Sequence, residues 1–390
     1  MRICYINPTN NIRRPIAELA NLLTEQVHAI TIVYPYSPSC PTDNWVPSQM
    51  INNPKIKKIP ITSWYFSPLR YSFPNIFQLR KAAKANFREN DIVHIWEYYY
   101  PISVLPLFFS LFNTKYRQKV ILTTDGFVGY SYRPKQPRWL VPAFRLYTQM
   151  VARLLYKIPS QITTYGKSML PHAQKAGVPR QKLKIISTGI HLAKFQQVNP
   201  QNVENLKKEF AIQKQKIILY AGMLTERKGI NKVIAISEKL LQEGRNIKTL
   251  LVGDAHGENI YNAKVNPQWK DMIIFTGGRK DIPDLMHLAD VLLLPSEGEG
   301  LPGVVMEAMA AGLPVVASDE GCTPDLIENG REGFLVNIGD VDGYYQAVRK
   351  ILNDGKLAEQ FSRNSQKKIQ QFSWDNVSDN YLRLYQEISG

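Results

Sequence analysis

The 390-residue chain contains no apolar run of the roughly 20 residues that a bilayer span requires, and it contains only three cysteines. Residues 1–6 enter a strand-like segment directly, without the charged and then apolar pattern of a secretory leader. Cys4, Cys40 and Cys322 are far apart and odd in number, which fits neither a disulfide framework nor a zinc site. We therefore expect a cytoplasmic protein.

Acidic residues are scarce in the first half of the chain. Residues 1–190 contain 25 Lys and Arg against 7 Asp and Glu, whereas residues 191–390 contain 23 against 26, giving net charges of +18 and −3. Residues 126–203 contain no acid and twelve Lys or Arg. Such a field attracts polyanions, including membrane headgroups, phosphorylated acceptors and nucleic acid.

Short apolar runs that end in Gly, Pro, Asn or Asp alternate with helical periodicity, which is typical of a parallel α/β architecture. The pattern restarts near residues 189–195, and it predicts two sheets, because one sheet of about eleven strands would be unusual. We expect domains at 1–190 and 191–365, with a terminal helix within 366–390 packed on the first. The predicted strands are 2–6, 29–33, 55–59, 92–95, 120–124, 161–163, 217–221, 248–252, 273–275, 291–294 and 314–317.

Residues 291–317 form the most informative segment. A strand leads into a Gly-rich loop, a helix opens near Pro302, Gly312 ends it, and Pro314 begins another strand. The loop lies beyond the carboxyl end of a parallel strand, where ligands of open α/β sheets bind. There the N–H groups of residues 303–305 predict an anion site suited to a diphosphate.

Glu299 in this loop and Glu307 one turn into the helix can border the same pocket. One carboxylate would accept hydrogen bonds from sugar hydroxyls and the other from a ribose. The alternative is that Glu299 is solvated and Glu307 is a surface helix residue, because acidic residues are common near helix starts.

The spacing Glu299-x7-Glu307, followed by Ala-Met-Ala-x-Gly-x-Pro-Val-Val-Ala, resembles the signature of glycosyltransferase family 4. The likeness covers most of the C-terminal half, including residues 221–229, 251–254, 275–277, 289–291 and 329–336. It implies the glycosyltransferase B (GT-B) fold, in which two Rossmann-like parallel-sheet domains face a central cleft. It also implies retaining transfer of a hexose from a nucleotide diphosphate sugar, without a required metal or other cofactor.

The resemblance assigns roles to residues of the second half. Glu299 would contact the transferred hexose, Glu307 the ribose, and Lys228 the donor diphosphate, while the loop 278–282 would hold the base. The further donor-binding residues that we expect are Gly222, Arg227, Gly278, Arg279, Ile282, Gly300, Leu301, Pro302, Gly303 and Val304.

The match weakens at Met223, because the family usually has Arg there. Either Arg227 or a basic residue of the first domain replaces the lost charge, or the site is degenerate. The first loop, residues 7–14, lacks the family's paired glycines, so Arg13 or Arg14 would reach an anion or simply begin a surface helix. Asp125 lies where many relatives carry a histidine near the sugar; as a catalytic candidate it would accept a sugar hydroxyl, or it would cap the next turn.

Neither His94 nor His191 is an expected catalyst, because His94 lies inside an apolar strand and reads as a core histidine. We also expect no nucleic-acid partner, since charge without a binding motif is weak support.

Leu140, Phe144, Tyr147, Val151 and Leu154 recur at helical spacing, with Arg138, Arg145 and Arg153 on the opposite side. This pattern fits an ordinary domain helix or an amphipathic membrane element. Aromatic residues at 64–66, 71, 73 and 96–100 lie near Arg70, Arg80, Lys81 and Lys84 and suit a membrane interface or carbohydrate stacking.

The sequence as a whole predicts a hexosyltransferase that uses a UDP- or GDP-sugar and a glycan or lipid-linked acceptor, peripheral at the inner face of a membrane. The alternatives are a sugar-nucleotide epimerase or hydrolase on the same fold, or a non-enzymatic polyanion- or nucleic-acid-binding protein. A Rossmann dehydrogenase is disfavoured, because no Gly-x-Gly-x-x-Gly follows the first strand.

Overall fold

The computed structural model describes residues 1–26, 28–40, 51, 53–67, 71–131, 140–255 and 260–390. The chain divides into two compact units, Met1–Gly189 with Trp374–Gly390, and Ile190–Ser373. None of the helices in these described ranges is both long and apolar enough to cross a membrane.

The first unit is built on an eight-stranded sheet in the order β4-β3-β2-β1-β5-β6-β7-β8. Its strands are β1 (Arg2–Ile6), β2 (Ala29–Tyr36), β3 (Lys57–Phe66), β4 (Tyr71–Pro74), β5 (Ile92–Trp96), β6 (Val120–Thr123), β7 (Gln161–Thr164) and β8 (Leu183–Ile185). All neighbours are parallel except β3 and β4, which pair antiparallel at one edge. The central strands β1 and β5 are buried on both faces, which explains their continuous apolar sequences.

The helices of the first unit connect these strands. They are α1 (Arg14–Glu25), α2 (Ile76–Glu89), α3 (Pro101–Leu111), α4 (Thr114–Gln118), α5 (Leu140–Tyr147), α6 (Arg153–Leu155), α7 (Leu170–Ala176) and α16 (Trp374–Ser389). A π-helical turn, Thr148–Ala152, joins α5 to α6.

The second unit contains a six-stranded, fully parallel sheet in the order β11-β10-β9-β12-β13-β14. Its strands are β9 (Lys216–Ala221), β10 (Ile247–Val252), β11 (Ile273–Gly277), β12 (Val291–Leu294), β13 (Val315–Ser318) and β14 (Gly333–Val336). Its helices are α8 (Leu192–Gln196), α9 (Pro200–Glu209), α10 (Ile230–Gln242), α11 (Ile282–Leu288), α12 (Gly303–Ala311), α13 (Thr323–Leu326), α14 (Val341–Asn353) and α15 (Gly355–Ile369). This strand order is the doubly wound order of Rossmann folds, so the ligand crevice is expected between β9 and β12.

Helix α16 belongs to the first unit although the chain reaches it after the second. It packs on α1 and β5, and its side chains Trp374, Val377, Tyr381, Leu384 and Tyr385 join the core of that unit. Residues 366–373, expected with this helix, instead lie in the second unit. Ser365 Oγ, just before them in α15, donates to the Glu332 carbonyl oxygen at 3.1 Å, and Lys368 Nζ binds the Glu332 carboxylate at 3.3 Å.

Three observed strands, β4, β8 and β14, were not predicted from the sequence. The edge strands β4 and β8 are short, and β8 is only half-buried, so neither shows a clear apolar run. Strand β14 lies within a segment that was matched only as a motif. Of the two interpretations of the apolar positions around residue 150, an ordinary domain helix fails at Leu154, which is 59% exposed. The extra residue of the π-helical turn places Thr148, Ala152 and Leu155 on the buried face instead. Arg70, Arg138 and the Leu140 side chain lie outside the described residues.

Truncation of a core side chain of α16 should destabilise the first unit. Leu384 is 2% exposed, so we expect Leu384→Ala to cost about 2 to 5 kcal/mol in unfolding free energy. The exposed neighbour Gln386 serves as the control, and Gln386→Ala should change little. Urea unfolding, combined with hydrogen exchange of the β5 amides, would measure the effect. Equal stability of the two variants would contradict this packing.

Candidate functional site

The loops that follow β9 and β12 meet at the carboxyl edge of the second sheet. Gly229, at a φ of 77°, ends the first loop, and a Cβ there would lie 2.2 Å from the Pro295 carbonyl oxygen. The Glu297 N–H donates to the Arg227 carbonyl oxygen at 2.8 Å. Only glycine permits both the left-handed backbone and this close approach, so the sequence forces the two loops together.

Lys228 and Glu299 form an ion pair between these loops. Lys228 Nζ lies 2.5 Å from Glu299 Oε1, and the two side chains are 19% and 12% exposed. The Thr225 side chain accepts a hydrogen bond from the Lys228 N–H and caps the short 3-10 helix Glu226–Lys228. The structure therefore brings together the two candidate catalytic residues of the second half and holds them largely out of water.

The first turn of α12 lies directly after Glu299. Pro302 precedes the helix rather than opening it, and no side-chain hydrogen bond caps the helix start. A Cβ added to Gly303 would meet nothing within 4 Å, so this backbone faces open space. The expected anion site of three N–H groups, at residues 303–305, needs correction. The Val305 N–H already donates to the Pro302 carbonyl oxygen at 3.1 Å. The predicted anion site is thus reduced to the N–H groups of Gly303 and Val304.

The loop that carries Glu299 is braced from both sides. Gly321, at a φ of 62°, packs so closely that a Cβ there would lie 1.8 Å from the Glu299 carbonyl oxygen. The Cys322 N–H donates to the Gly300 carbonyl oxygen at 3.0 Å, and the Gly298 N–H donates to Glu320 Oε2 at 2.8 Å. Leu301 and Pro302 are buried beneath the loop, while Glu307 is half-buried one turn into α12.

Arg227, the candidate replacement for the missing Arg at position 223, lies against the loop after β12. Its guanidinium donates to the carbonyl oxygens of Glu297 and Gly298, at 2.8 and 3.2 Å, so it braces the loop. Met223 is 39% exposed. The N–H of Gly222, expected at the donor, is already bound to the Val252 carbonyl oxygen at 2.9 Å. The cation of this loop that lies beside Glu299 is Lys228.

The loop expected to hold the base is also constrained. Arg279 forms hydrogen-bonded ion pairs with Glu209 and Asp281, at 2.5 and 2.6 Å. The hydrogen bonds that Arg279 donates to Asp281 and Glu209 raise its pKa, so its charge is paired with these carboxylates. The Gly278 N–H donates to Asp254 Oδ1 at 2.9 Å, and Ile282 opens α11. Two carboxylates therefore hold the Arg279 side chain, while Lys280 in the same loop is exposed.

The first unit places a second charged cluster at the equivalent edge of its own sheet. Arg13 follows β1, and its guanidinium lies 2.5 Å from Glu97 Oε1 and 2.5 Å from Asp125 Oδ2. Glu97 directly follows β5, is fully buried, and has a left-handed φ of 61°. It also accepts a hydrogen bond from Thr124 Oγ1 at 2.7 Å. A left-handed backbone at a non-glycine residue costs free energy and often marks a functional site.

Burial dominates the electrostatics of this cluster. It raises the pKa of Glu97 to about 8, with the neighbouring Asp125 charge adding to the shift and Arg13 opposing it. Burial also disfavours the charge on Arg13, but Asp125 and Glu97 outweigh that cost and hold its pKa above the ordinary value. Arg14, the other candidate, lies 3.7 Å from Glu18 one helical turn away.

Sequence reasoning missed Glu97 as a site residue. The signal was present, since an acid at the end of a buried strand is the same pattern that singled out the loop after β12. Asp125 is bound to Arg13 and is not a simple turn cap. His94 is a core histidine as predicted, because its ring nitrogens bind Tyr385 Oη at 2.7 Å and Thr123 Oγ1 at 2.6 Å.

Two family models match the chain. The family model described as glycosyl transferases group 1 matches residues 202–368, and the model described as glycosyltransferase family 4 matches residues 13–194. The chain belongs to glycosyltransferase family 4. Each half of this family 4 member is thus matched separately, and the match over residues 202–368 contains Lys228, Glu299 and Glu307.

Two curated relatives of this family 4 protein act on lipid-linked substrates by name. One is the N,N'-diacetylbacillosaminyl-diphospho-undecaprenol alpha-1,3-N-acetylgalactosaminyltransferase of Campylobacter jejuni, which is 29% identical over 60% of this chain and 62% of the relative. The other is the UDP-Gal:alpha-D-GlcNAc-diphosphoundecaprenol alpha-1,3-galactosyltransferase of Escherichia coli, 29% identical over 49% of this chain and 50% of the relative. The matches span half to about three fifths of these relatives' lengths.

A solved structure shares the fold over the whole family 4 chain. Anabaena HepE in complex with UDP superposes with a TM-score of 0.78 at 18% identity, covering 99% of this chain and 100% of that one. The two α/β units and this likeness show that the fold is GT-B.

The Glu97 cluster should make stability depend on pH. Because the folded chain holds the Glu97 pKa near 8 against an ordinary 4.5, it binds more protons than the unfolded chain between these values. Unfolding free energy should therefore fall as pH rises from about 5 to 8, by at most about 1.4 kcal/mol per pH unit. Urea titrations of Glu97→Gln should lack this contribution, whereas the exposed-acid control Glu89→Gln should keep it. A slope of opposite sign would contradict the raised pKa.

Proposed function

We propose that the protein transfers a hexose, with retention of configuration, from a UDP- or GDP-sugar to a glycan or lipid-linked acceptor. The observation that carries the proposal is the Lys228–Glu299 ion pair beside the open N-terminus of α12. Membership in glycosyltransferase family 4 supports the reaction type. The names of the relatives support a UDP-linked donor and a lipid-linked acceptor.

The residues divide the work on the donor. The bond from the anomeric carbon to the diphosphate oxygen breaks, and negative charge develops on the leaving nucleoside diphosphate. Lys228 and the Gly303 and Val304 N–H groups are placed to stabilise that charge. Glu299 would accept hydrogen bonds from hexose hydroxyls and Glu307 from the ribose. The acceptor oxygen forms the new bond to the anomeric carbon, and its proton passes to the leaving phosphate oxygen.

The ion pair suits this division. Without donor, Lys228 and Glu299 neutralise each other in a site that is largely shielded from water. A donor would supply a phosphate for the ammonium group and hydroxyls for the carboxylate, so each would exchange one charged partner for a ligand contact. An epimerase or hydrolase would use the same donor contacts, and the acceptor-dependent product distinguishes transfer from both.

We also propose that the acceptor is presented at the inner face of a membrane and that no metal is needed. The lipid-linked acceptors named in the relatives and the positive charge of residues 1–190 support the first point. The family resemblance supports the second.

Substitutions at the ion pair should separate donor binding from sugar transfer. A panel of nucleotide sugars is screened for slow hydrolysis and for transfer to membrane lipid extracts, starting with UDP-sugars. Lys228→Ala should lower the rate on the accepted donor about 100- to 1000-fold, by loss of charge stabilisation. Glu299→Ala should lower it about 10-fold or more, by loss of charge-assisted hydrogen bonds. Lys239→Ala, which breaks an exposed ion pair with Asp342, is the matched control and should retain full rate.

Calorimetry with UDP and GDP then tests the roles. Lys228→Ala and Glu307→Ala should weaken nucleotide binding, whereas Glu299→Ala should leave it unchanged or tighten it, because it frees Lys228. If Glu299→Ala weakened nucleotide binding while Lys228→Ala and Glu307→Ala did not, these roles would be wrong. Binding of a short oligonucleotide in preference to either nucleotide would favour a polyanion-binding protein instead.

Chelation should leave activity intact. In the described parts of the chain, no group of three His, Cys, Asp or Glu side chains is placed to hold a metal ion. With charge stabilisation supplied by Lys228 and backbone N–H groups, we expect equal rates with EDTA and with added Mg²⁺ or Mn²⁺. A rate that collapses in EDTA and returns with one of these metals would refute the metal-free assignment.

A further inference from the structure

The helical segment between β6 and β7 exposes an apolar stripe. Leu146, Met150 and Leu154 recur at four-residue spacing and are 56%, 63% and 59% exposed. Beneath them, Thr148 and Ala152 are fully buried, and Thr148 Oγ1 donates to the Val128 carbonyl oxygen at 2.9 Å. The π-helical turn sets this arrangement, because its extra residue keeps the polar anchor inside and turns Leu154 outward.

Only positive charge borders the stripe along this segment. Arg153 and Lys157 are exposed next to Leu154, and residues 126–203 contain no acid that could neutralise them locally. Arg153 lies over Gly177, where a Cβ would meet its Nε at 2.6 Å, so its alkyl stem is held on the surface. The combination of a large apolar stripe with flanking cations is typical of elements that lie in a membrane interface.

The neighbouring helices continue this character. Helix α3 packs on α6 and also on α2, which places all three on one side of the first sheet. Phe77 at the start of α2 is 84% exposed, and Phe112 at the end of α3 is 90% exposed. The exposed cations Arg80, Lys81 and Lys84 lie on α2 beside Phe77. Isolated exposed apolar residues are ordinary, but several large ones on one cationic side mark an interaction surface.

We propose that this side of the first unit docks on an anionic phospholipid bilayer, with the Leu146–Met150–Leu154 stripe in the interfacial layer and Arg153 and Lys157 on lipid phosphates. The aliphatic stripe favours lipid over a carbohydrate ligand, since leucine and methionine offer no aromatic face for sugar stacking. The cations select an anionic surface and reject a neutral one. The inference rests on the proposed function only for its purpose, which is to bring a lipid-linked acceptor within reach.

Vesicle co-sedimentation without any nucleotide sugar tests the docking. Vesicles of phosphatidylcholine with about one third phosphatidylglycerol should bind the full chain, and binding should weaken steeply as salt rises. Leu146→Ser combined with Met150→Ser should weaken binding about tenfold or more. Arg153→Gln combined with Lys157→Gln should weaken it about 25-fold, at roughly fivefold for each cation.

Matched controls keep the test decisive. Ile260 is 60% exposed but lies in the second unit, so Ile260→Ser should bind like the parent. Circular dichroism and the urea midpoint verify that each variant is folded, and the charge variant remains informative if the apolar one is not. The proposal would be overturned if the parent protein did not bind anionic vesicles or bound pure phosphatidylcholine equally well. It would also be overturned if neither double substitution weakened vesicle binding.

The same samples separate this proposal from the proposed function. The docking variants should bind UDP, measured by calorimetry, like the parent, because none of the substituted residues lies in the β9 or β12 loops. Vesicle binding without nucleotide binding would support the docking proposal and contradict the proposed transferase function. Nucleotide binding without vesicle binding would contradict the docking proposal and support the transferase function.

Discussion

The candidate site depends on one ion pair, between Lys228 and Glu299, which spans the two loops at the switch point of the second sheet. The sheet order separates β9 and β12 in sequence but makes them neighbours in space, so their loops must converge at the carboxyl edge. Gly229, in a left-handed conformation, allows the close approach of these two loops, and Gly321 packs on the second of them from the loop after β13. A cation and a carboxylate are thereby held beside the N–H groups that open α12.

The first unit repeats this arrangement at its own switch point. Arg13 follows β1 and Glu97 follows β5, as Lys228 follows β9 and Glu299 lies beyond β12. The two pairs differ in their environment, because Glu97 is completely buried whereas the Glu299 side chain keeps 12% exposure. Thr124 also binds Glu97, and Asp125 also binds Arg13, so each member of the first pair has a further partner. The partial exposure of the Glu299 carboxylate leaves it accessible to a ligand.

Much of the architecture could be predicted from sequence, because strands buried on both faces read as short apolar runs. Strands β1, β5, β9 and β12 were found for this reason. The same rule fails at sheet edges, where β4 and β8 lack a second buried face. The π-helical turn could not be predicted from the sequence, because the side of the helix that it buries depends on a tertiary hydrogen bond from Thr148.

The candidate site was predictable only in part. Glu299 and Lys228 stand out because motif spacing and strand ends select them. The bracing role of Arg227 and the ion pairs of Arg279 could not be predicted, because their partners are main-chain oxygens or acids distant in sequence. Glu97 lies between Trp96 and Tyr98 in the sequence, and an aromatic cluster of this kind does not predict a buried acid.

The placement of α16 has a consequence for biosynthesis. Its side chains complete the core of the first unit, yet the ribosome makes this helix only after the entire second unit. During translation, β1, β5 and α1 are therefore synthesised early but lack part of their apolar covering until the end, while residues 190–373 have all they need to fold. The nascent first unit consequently exposes apolar surface until translation ends, and a chaperone would bind at this surface.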